Sequence, residues 1–115
     1  MLLAWLRRLL HPEEPGWIDH GELLKQMRRS DAPMIVDVRE PDEFDGPLGH
    51  ITGALNIPLA ALSARIDHLV RAQCPLVLVC LTDERSSQAA AELAAAGARD
   101  VWVLRGGMKA WRDRW

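Results

Sequence analysis

The stretch Pro75–Gly97, PLVLVCLTDERSSQAAAELAAAG, decides the fold. Its first six residues form a short, continuously apolar block bounded by polar residues, the pattern of a fully buried strand. RSSQAAAELAAAGA follows as a helix whose alanine-dense face permits close packing, with Gly97 as its stop. A single cysteine, Cys80, stands where the strand ends and the helix is about to begin.

Working outward, the same alternation repeats. WIDHGELLKQMRR opens with an apolar pair, then offers Asp19 as an N-cap with Glu22 three residues on, predicting a helix from about His20 to Arg29. PMIVDV is a short run rich in β-branched residues, read as a buried strand leading into a long polar loop, REPDEFDGPLGH. GALNIPL supplies a strand around Ala54–Ile57, and Leu59, Leu62, Ile66 and Leu69 recur at helical spacing behind it. DVWVL predicts another strand, RGG a turn, and MKAWRDRW a final helical turn or two. Strands and helices in regular alternation predict an α/β fold, a mostly parallel sheet with helices on both faces.

The totals agree with one soluble domain. The chain has 115 residues, 49% hydrophobic and 26% charged, with a formal net charge of -2. That balance gives no basic footprint for nucleic acid, which is excluded as a partner. No paired Cys/His spacing suggests a metal site, and no cofactor is expected. The two cysteines, Cys74 and Cys80, flank one strand and would stand about 20 Å apart, too far to bridge. A reducing, cytoplasmic setting is the default.

The first residues, MLLAWLRRLLHPEEPG, are too short and too interrupted by Arg7 and Arg8 to span a bilayer. Read as a helix, they place Leu2, Leu3, Leu6, Leu9 and Leu10 on one face. Two uses fit: docking on the chain's own domain, or contact of residues 1–11 with a partner or a membrane surface. Pro12 and Pro15-Gly16 break the leader from the rest of the chain, so residues 1–16 are taken as leader and linker and residues 17–115 as the domain.

In open α/β sheets ligands gather beyond the carboxyl ends of the strands, and Arg39 and Cys80 both begin loops at such ends. A thiol placed there faces loop N–H groups and the positive end of a helix, which favours the reactive thiolate. Cys80, four intervening residues, Arg85 and Ser86 form a C-x4-R-S loop that can wrap backbone donors around one negatively charged atom. An inert core cysteine remains the alternative for this loop taken alone.

Three linked segments carry a resemblance. IVDVREPDEFDGPLGHITGALNIPL resembles the first signature of the rhodanese family, CLTDERS falls where that family carries its active-site loop, and GARDVWVLRGGMKAW is similar to its closing signature. The likeness covers about residues 17–112. It implies a rhodanese-like, mostly parallel five-stranded sheet with helices on both faces, and a single-domain sulfurtransferase. On that reading Cys80 is the nucleophile, taking sulfur from thiosulfate or a persulfide and passing it to a thiol or cyanide. Backbone N–H groups of Leu81, Thr82, Asp83, Glu84, Arg85 and Ser86 would hold the outer sulfur, with Arg85 supporting the loop and its charge. Asp37 is implied as a structural tie, Arg39 as a residue shaping the site or attracting an anionic donor, and His50 as a residue fixing the loop before the next strand.

Two departures bear on substrate. Asp83 and Glu84 occupy positions where many active members carry glycine or basic neighbours, so the loop is locally acidic and slow catalysis with dianionic thiosulfate is expected. The related phosphatase fold uses a loop one residue longer, which favours sulfur over phosphate here. Cys74 is expected at the opposite end of the strand, leaving Cys80 to be cleared by an external thiol, a thioredoxin-like protein or an acceptor protein. A rhodanese-fold binding or regulatory module with weak catalysis is the main alternative, followed by a phosphatase or arsenate reductase.

Overall fold

A computed structural model describes residues 14–114. The expectations placed on the leader, residues 1–11, lie outside them. Five parallel strands form one sheet in the order β1-β5-β4-β2-β3: β1 Gly16–Ile18, β2 Met34–Asp37, β3 Leu55–Asn56, β4 Leu76–Val79 and β5 Val101–Leu104. The helices are α1 His20–Met27, α2 Pro41–Phe44, α3 Ile66–Arg71, α4 Glu84–Ala95 and α5 Gly107–Asp113, with a 3-10 segment at Leu59–Arg65 ahead of α3. No helix among the described residues is long and apolar enough to cross a membrane.

The apolar strands β2 and β4 sort their side chains by strand alternation onto two cores. Val36, Leu76, Leu78, Val101 and Val103 join Leu62, Leu69, Ala89, Ala90 and Leu93 on the α3/α4 face. Ile35, Val77, Val79 and Leu104 join Leu23, Met108 and Trp111 on the α1/α5 face. The small side chains of Ala89 and Ala90 are fully buried and let α4 lie close against β4 and β5.

Local punctuation works as read. Asp19 caps α1 through a 2.8 Å bond accepted from Glu22 N. Gly97, at φ +106°, closes α4: its N–H donates to Ala94 O and that of Ala98 to Leu93 O, the paired pattern of a left-handed C-terminal stop. Four elements differ from expectation. β1 is a fifth strand where only an apolar pair was read, and Gly16, expected to break the chain, is its first residue. The strand around Ala54–Ile57 contracts to Leu55–Asn56. The polar loop after β2 holds the one-turn helix α2, and the helix behind Leu59 begins as 3-10.

The sheet order positions the site. From β2 the chain runs outward to β3, and from β4 it runs the other way to β5, so the direction of winding switches between β2 and β4. A crevice opens at the carboxyl ends of two such strands. Arg39 follows β2 and Cys80 follows β4 at that point.

Candidate active site

Cys80 continues the alternation of Leu76 and Leu78, so its side chain enters the α3/α4 core and is 1% exposed. Its Sγ lies 3.2 Å from the hydroxyl of Ser86, a fully buried residue in the first turn of α4. The same hydroxyl donates to the Asp83 carbonyl at 3.2 Å. One hydroxyl has one proton, so while it serves Asp83 the thiol of Cys80 donates to Ser86; an ionised sulfur requires the hydroxyl to turn toward it. Ser86 therefore meets either form of the sulfur.

Between Cys80 and the first helical hydrogen bond, Ser87 N to Asp83 O, none of the backbone N–H groups of residues 81–86 donates to an acceptor among the described residues. The last four of them are the donors that every helix start leaves open. None is within bonding reach of the Cys80 sulfur itself; that contact is made by Ser86.

The loop is held from beneath by the turn after β5. Met108 N donates to Cys80 O at 2.8 Å, Lys109 N to Leu81 O at 3.0 Å, and Gly106 N to the Asp83 carboxylate at 2.8 Å. Gly107, at φ +58°, sits where any Cβ would collide with the carbonyl oxygens of Cys80, Leu81 and Thr82. Only glycine lets the two backbones approach this closely.

Arg85 reaches across to Glu43 on α2. Its two terminal nitrogens donate to the two carboxylate oxygens at 2.6 and 3.0 Å, a bidentate pair spanning the site. The Arg85 hydrogen bond holds the Glu43 carboxyl down at about 2, against an ordinary value of 4.5. Glu43 in turn raises the pKa of Arg85, with Cys80 and Asp37 adding to the effect through their charges.

Asp37 and Arg39 form a second, fully buried pair at the end of β2, with a shortest contact of 2.8 Å and both residues 1% exposed. Arg39 also donates to the carbonyls of Glu43 at 3.1 Å and Gly49 at 2.7 Å. Arg39 thus ties β2, α2 and the turn at Gly49 together. His50 Nδ1–H donates to Phe44 O at 2.9 Å, and its ring stacks on Phe44 at 3.6 Å. Cys74 is half-buried, unbridged, and at the far end of β4 from Cys80.

Residues 20–114 match the family described as Rhodanese-like domain. The chain belongs to that family. A thiosulfate sulfurtransferase, GlpE, of Ectopseudomonas mendocina is 37% identical over 76% of this chain and 77% of its own length. An uncharacterised protein of Bacillus subtilis, YqhL, is 44% identical over 67% of this chain but only 59% of its own length, and one from Synechocystis is 41% identical over 78% of this chain and 49% of its own. The chain thus spans about half to three-fifths of those two relatives. Among solved structures, a rhodanese-related protein from Thermoplasma volcanium superposes with a TM-score of 0.74 at 26% identity, over 86% of this chain and 92% of its own. A Rhodopseudomonas palustris protein of unknown function, described as a possible tyrosine phosphatase, superposes with a TM-score of 0.78 at 27% identity, over 87% and 81%.

The rhodanese-like fold brings Cys80, Arg85 and Ser86 together, with Glu43 beside them; Asp37, Arg39 and His50 form the scaffold next to this group. Sequence reasoning gave Glu43 no role. Its signal was the E-F pair inside the quoted signature, but nothing local shows a partner 42 residues away. The role of the RGG turn as a floor for the cysteine loop was likewise unread.

Proposed function

We propose that this chain is a sulfurtransferase in which Cys80 carries the transferred sulfur. The Cys80 thiolate attacks the outer sulfur of a donor; the donor's S–S bond breaks, its electron pair leaves with the inner sulfur, and a new S–S bond forms at Cys80. The outer sulfur of Cys80–S–S⁻ lies one bond beyond Sγ, where the open N–H groups of residues 81–86 supply a ring of donors for one negative charge. An acceptor thiol or cyanide then removes it. Cys74 lies at the other end of β4, so release falls to an external thiol or an acceptor protein.

One observation carries the reading: a buried cysteine at the switch point, bonded to Ser86, beneath a loop whose N–H groups are unspent. Intact-mass measurement after incubation with a sulfur donor tests it. Cys80 gains a single sulfur, cyanide removes it as thiocyanate, and Cys80→Ser takes up none. Uptake by Cys80→Ser, or no adduct on the unaltered protein with any donor, refutes the assignment.

A further inference from the structure

We propose that Asp83 is a positioning residue for sulfur transfer: its bond to Gly106 holds the carboxylate off the start of α4 and so leaves the N–H groups there to the transferred sulfur. The inference rests on Cys80 acting as the sulfur carrier.

Asp19 and Asp83 each stand one residue ahead of a helix, and they behave differently. Asp19 precedes α1 with an extended backbone, φ -94° and ψ 173°, and its carboxylate accepts from Glu22 N, three residues on, at 2.8 Å. That is the bond an aspartate at a helix start ordinarily makes. Ahead of α4 the matching donor is the N–H of Ser86, and Asp83 makes no side-chain bond to it. Its backbone stands instead at φ -129° and ψ -19°, and its carboxylate accepts from Gly106 N at 2.8 Å.

The difference matters because a capping carboxylate and the outer sulfur of Cys80–S–S⁻ are both anions that want the same donors. A capped α4 would have its Ser86 N–H occupied, with a negative oxygen standing where the sulfur brings its own charge. With the Asp83 carboxylate turned to the floor, the N–H groups of Glu84, Arg85 and Ser86 donate to no acceptor among the described residues. The turn that withdraws the cap also fixes the loop, through Met108 N to Cys80 O and Lys109 N to Leu81 O. Residue 83 reaches the sulfur by a second route, since its carbonyl accepts from the Ser86 hydroxyl that meets Sγ. An uncapped helix start is less stable than a capped one, so this arrangement favours an open anion site over the local stability of α4.

The test compares the unaltered protein with Asp83→Ser, Asp83→Ala and Asp83→Asn by melting temperature, by iodoacetamide alkylation of Cys80, and by single-turnover loading of Cys80 from thiosulfate and from cysteine persulfide, read as intact mass. The serine hydroxyl, one bond shorter than the carboxylate, serves as a cap rather than as a tie to Gly106; alanine does neither; asparagine keeps an oxygen for Gly106 N. Asp83→Ser is expected to melt about 4 °C above Asp83→Ala, the gain from a helix cap. It should nevertheless load about tenfold more slowly than the unaltered protein, the loss of one hydrogen bond to a charged sulfur, with Asp83→Ala in between. Alkylation of Asp83→Ser stays as in the unaltered protein, because the Ser86 hydroxyl is untouched, and Asp83→Asn loads close to the unaltered rate. A tie that only braces the loop would instead make loading follow melting temperature. Loading slower in Asp83→Ala than in Asp83→Ser, or as fast in Asp83→Ser as in the unaltered protein, overturns the proposal, and so does a loss in Asp83→Asn as large as that in Asp83→Ser. Loading of the unaltered protein from neither donor refutes the Cys80 assignment itself, and this inference with it.

Discussion

Two carboxylate–guanidinium pairs meet at α2, built from the same groups and doing different work. Asp37 and Arg39 lie two residues apart at the end of β2, both buried, with the Arg39 donors shared among three segments. Glu43 and Arg85 lie 42 residues apart, with side chains about one-third exposed, and join α2 to the cysteine loop. Water explains the contrast. Without solvent, a charge that loses its partner cannot be rescued, so the inner pair holds the frame rigid. With solvent at hand, the outer pair can be altered without unfolding the domain, and its charge state is felt at the mouth of the site.

The inner pair is the place to try to break this contrast. Arg39→Met leaves the Asp37 carboxylate buried and unpaired, and is expected to cost about 3–5 kcal/mol by denaturant titration. Adding Asp37→Leu should restore part of that loss, because no orphan charge remains. A single substitution costing under about 1 kcal/mol would mean that water reaches the pair and that the two pairs are alike.

Gly107→Ala comes next. It asks whether the outer region owes its shape to the ion pair or to the backbone floor beneath it. The added methyl meets three carbonyl oxygens at a left-handed φ, so a loss of about 2–3 kcal/mol is expected, with displacement of the loop. Alkylation of Cys80 would change with it. A neutral effect would hand the loop's geometry to Glu43–Arg85 alone.

The same division marks what the sequence disclosed. Asp19, Gly97 and the strand–loop–helix passage at Cys80 act within a few residues, through capping, φ and periodicity, and each stood in the structure as read. Arg39 and Asp37 were read separately, as a residue shaping the site and as a structural tie; that they serve each other, two positions apart, is seen only in the structure. Glu43–Arg85, and the Gly106–Asp83 bond across 23 residues, depend on where the sheet order places distant segments, and no local period encodes that. β1 and α2 were missed for a related reason: three or four residues complete too little of either period to stand out, and tertiary pairing supplies the rest.

Ser86→Ala separates reactivity from stability within the outer region. Removing the hydroxyl takes away the hydrogen-bonding side chain that meets Sγ, so the rate of Cys80 alkylation by iodoacetamide should fall about tenfold, the equivalent of one hydrogen bond of about 1.4 kcal/mol. Ser86→Thr, which restores a hydroxyl, should recover much of that rate. An alkylation rate unmoved by Ser86→Ala would leave Ser86 a packing residue.

The smallest expected effect is the most specific to the outer pair, because it carries a pH signature. The Glu43 carboxyl is held at about 2 in the folded chain and ionises near 4.5 when unpaired, so its pairing with Arg85 contributes stability that is fully present above about pH 4.5. As pH falls through that value toward 2, the unfolded chain takes up the proton first and the contribution is lost. Glu43→Gln has no proton to gain. At pH 7 it should therefore be less stable than the unaltered protein by about 1 kcal/mol, a figure reduced by the pair's exposure, and the gap should close between about pH 4.5 and 2. High salt should narrow it at pH 7 as well, while leaving the cost of Arg39→Met nearly untouched. A gap that persists unchanged at pH 2 would mean that Glu43 holds α2 by packing rather than by its charge. The outer pair would then be a second copy of the inner one in function as well as in chemistry.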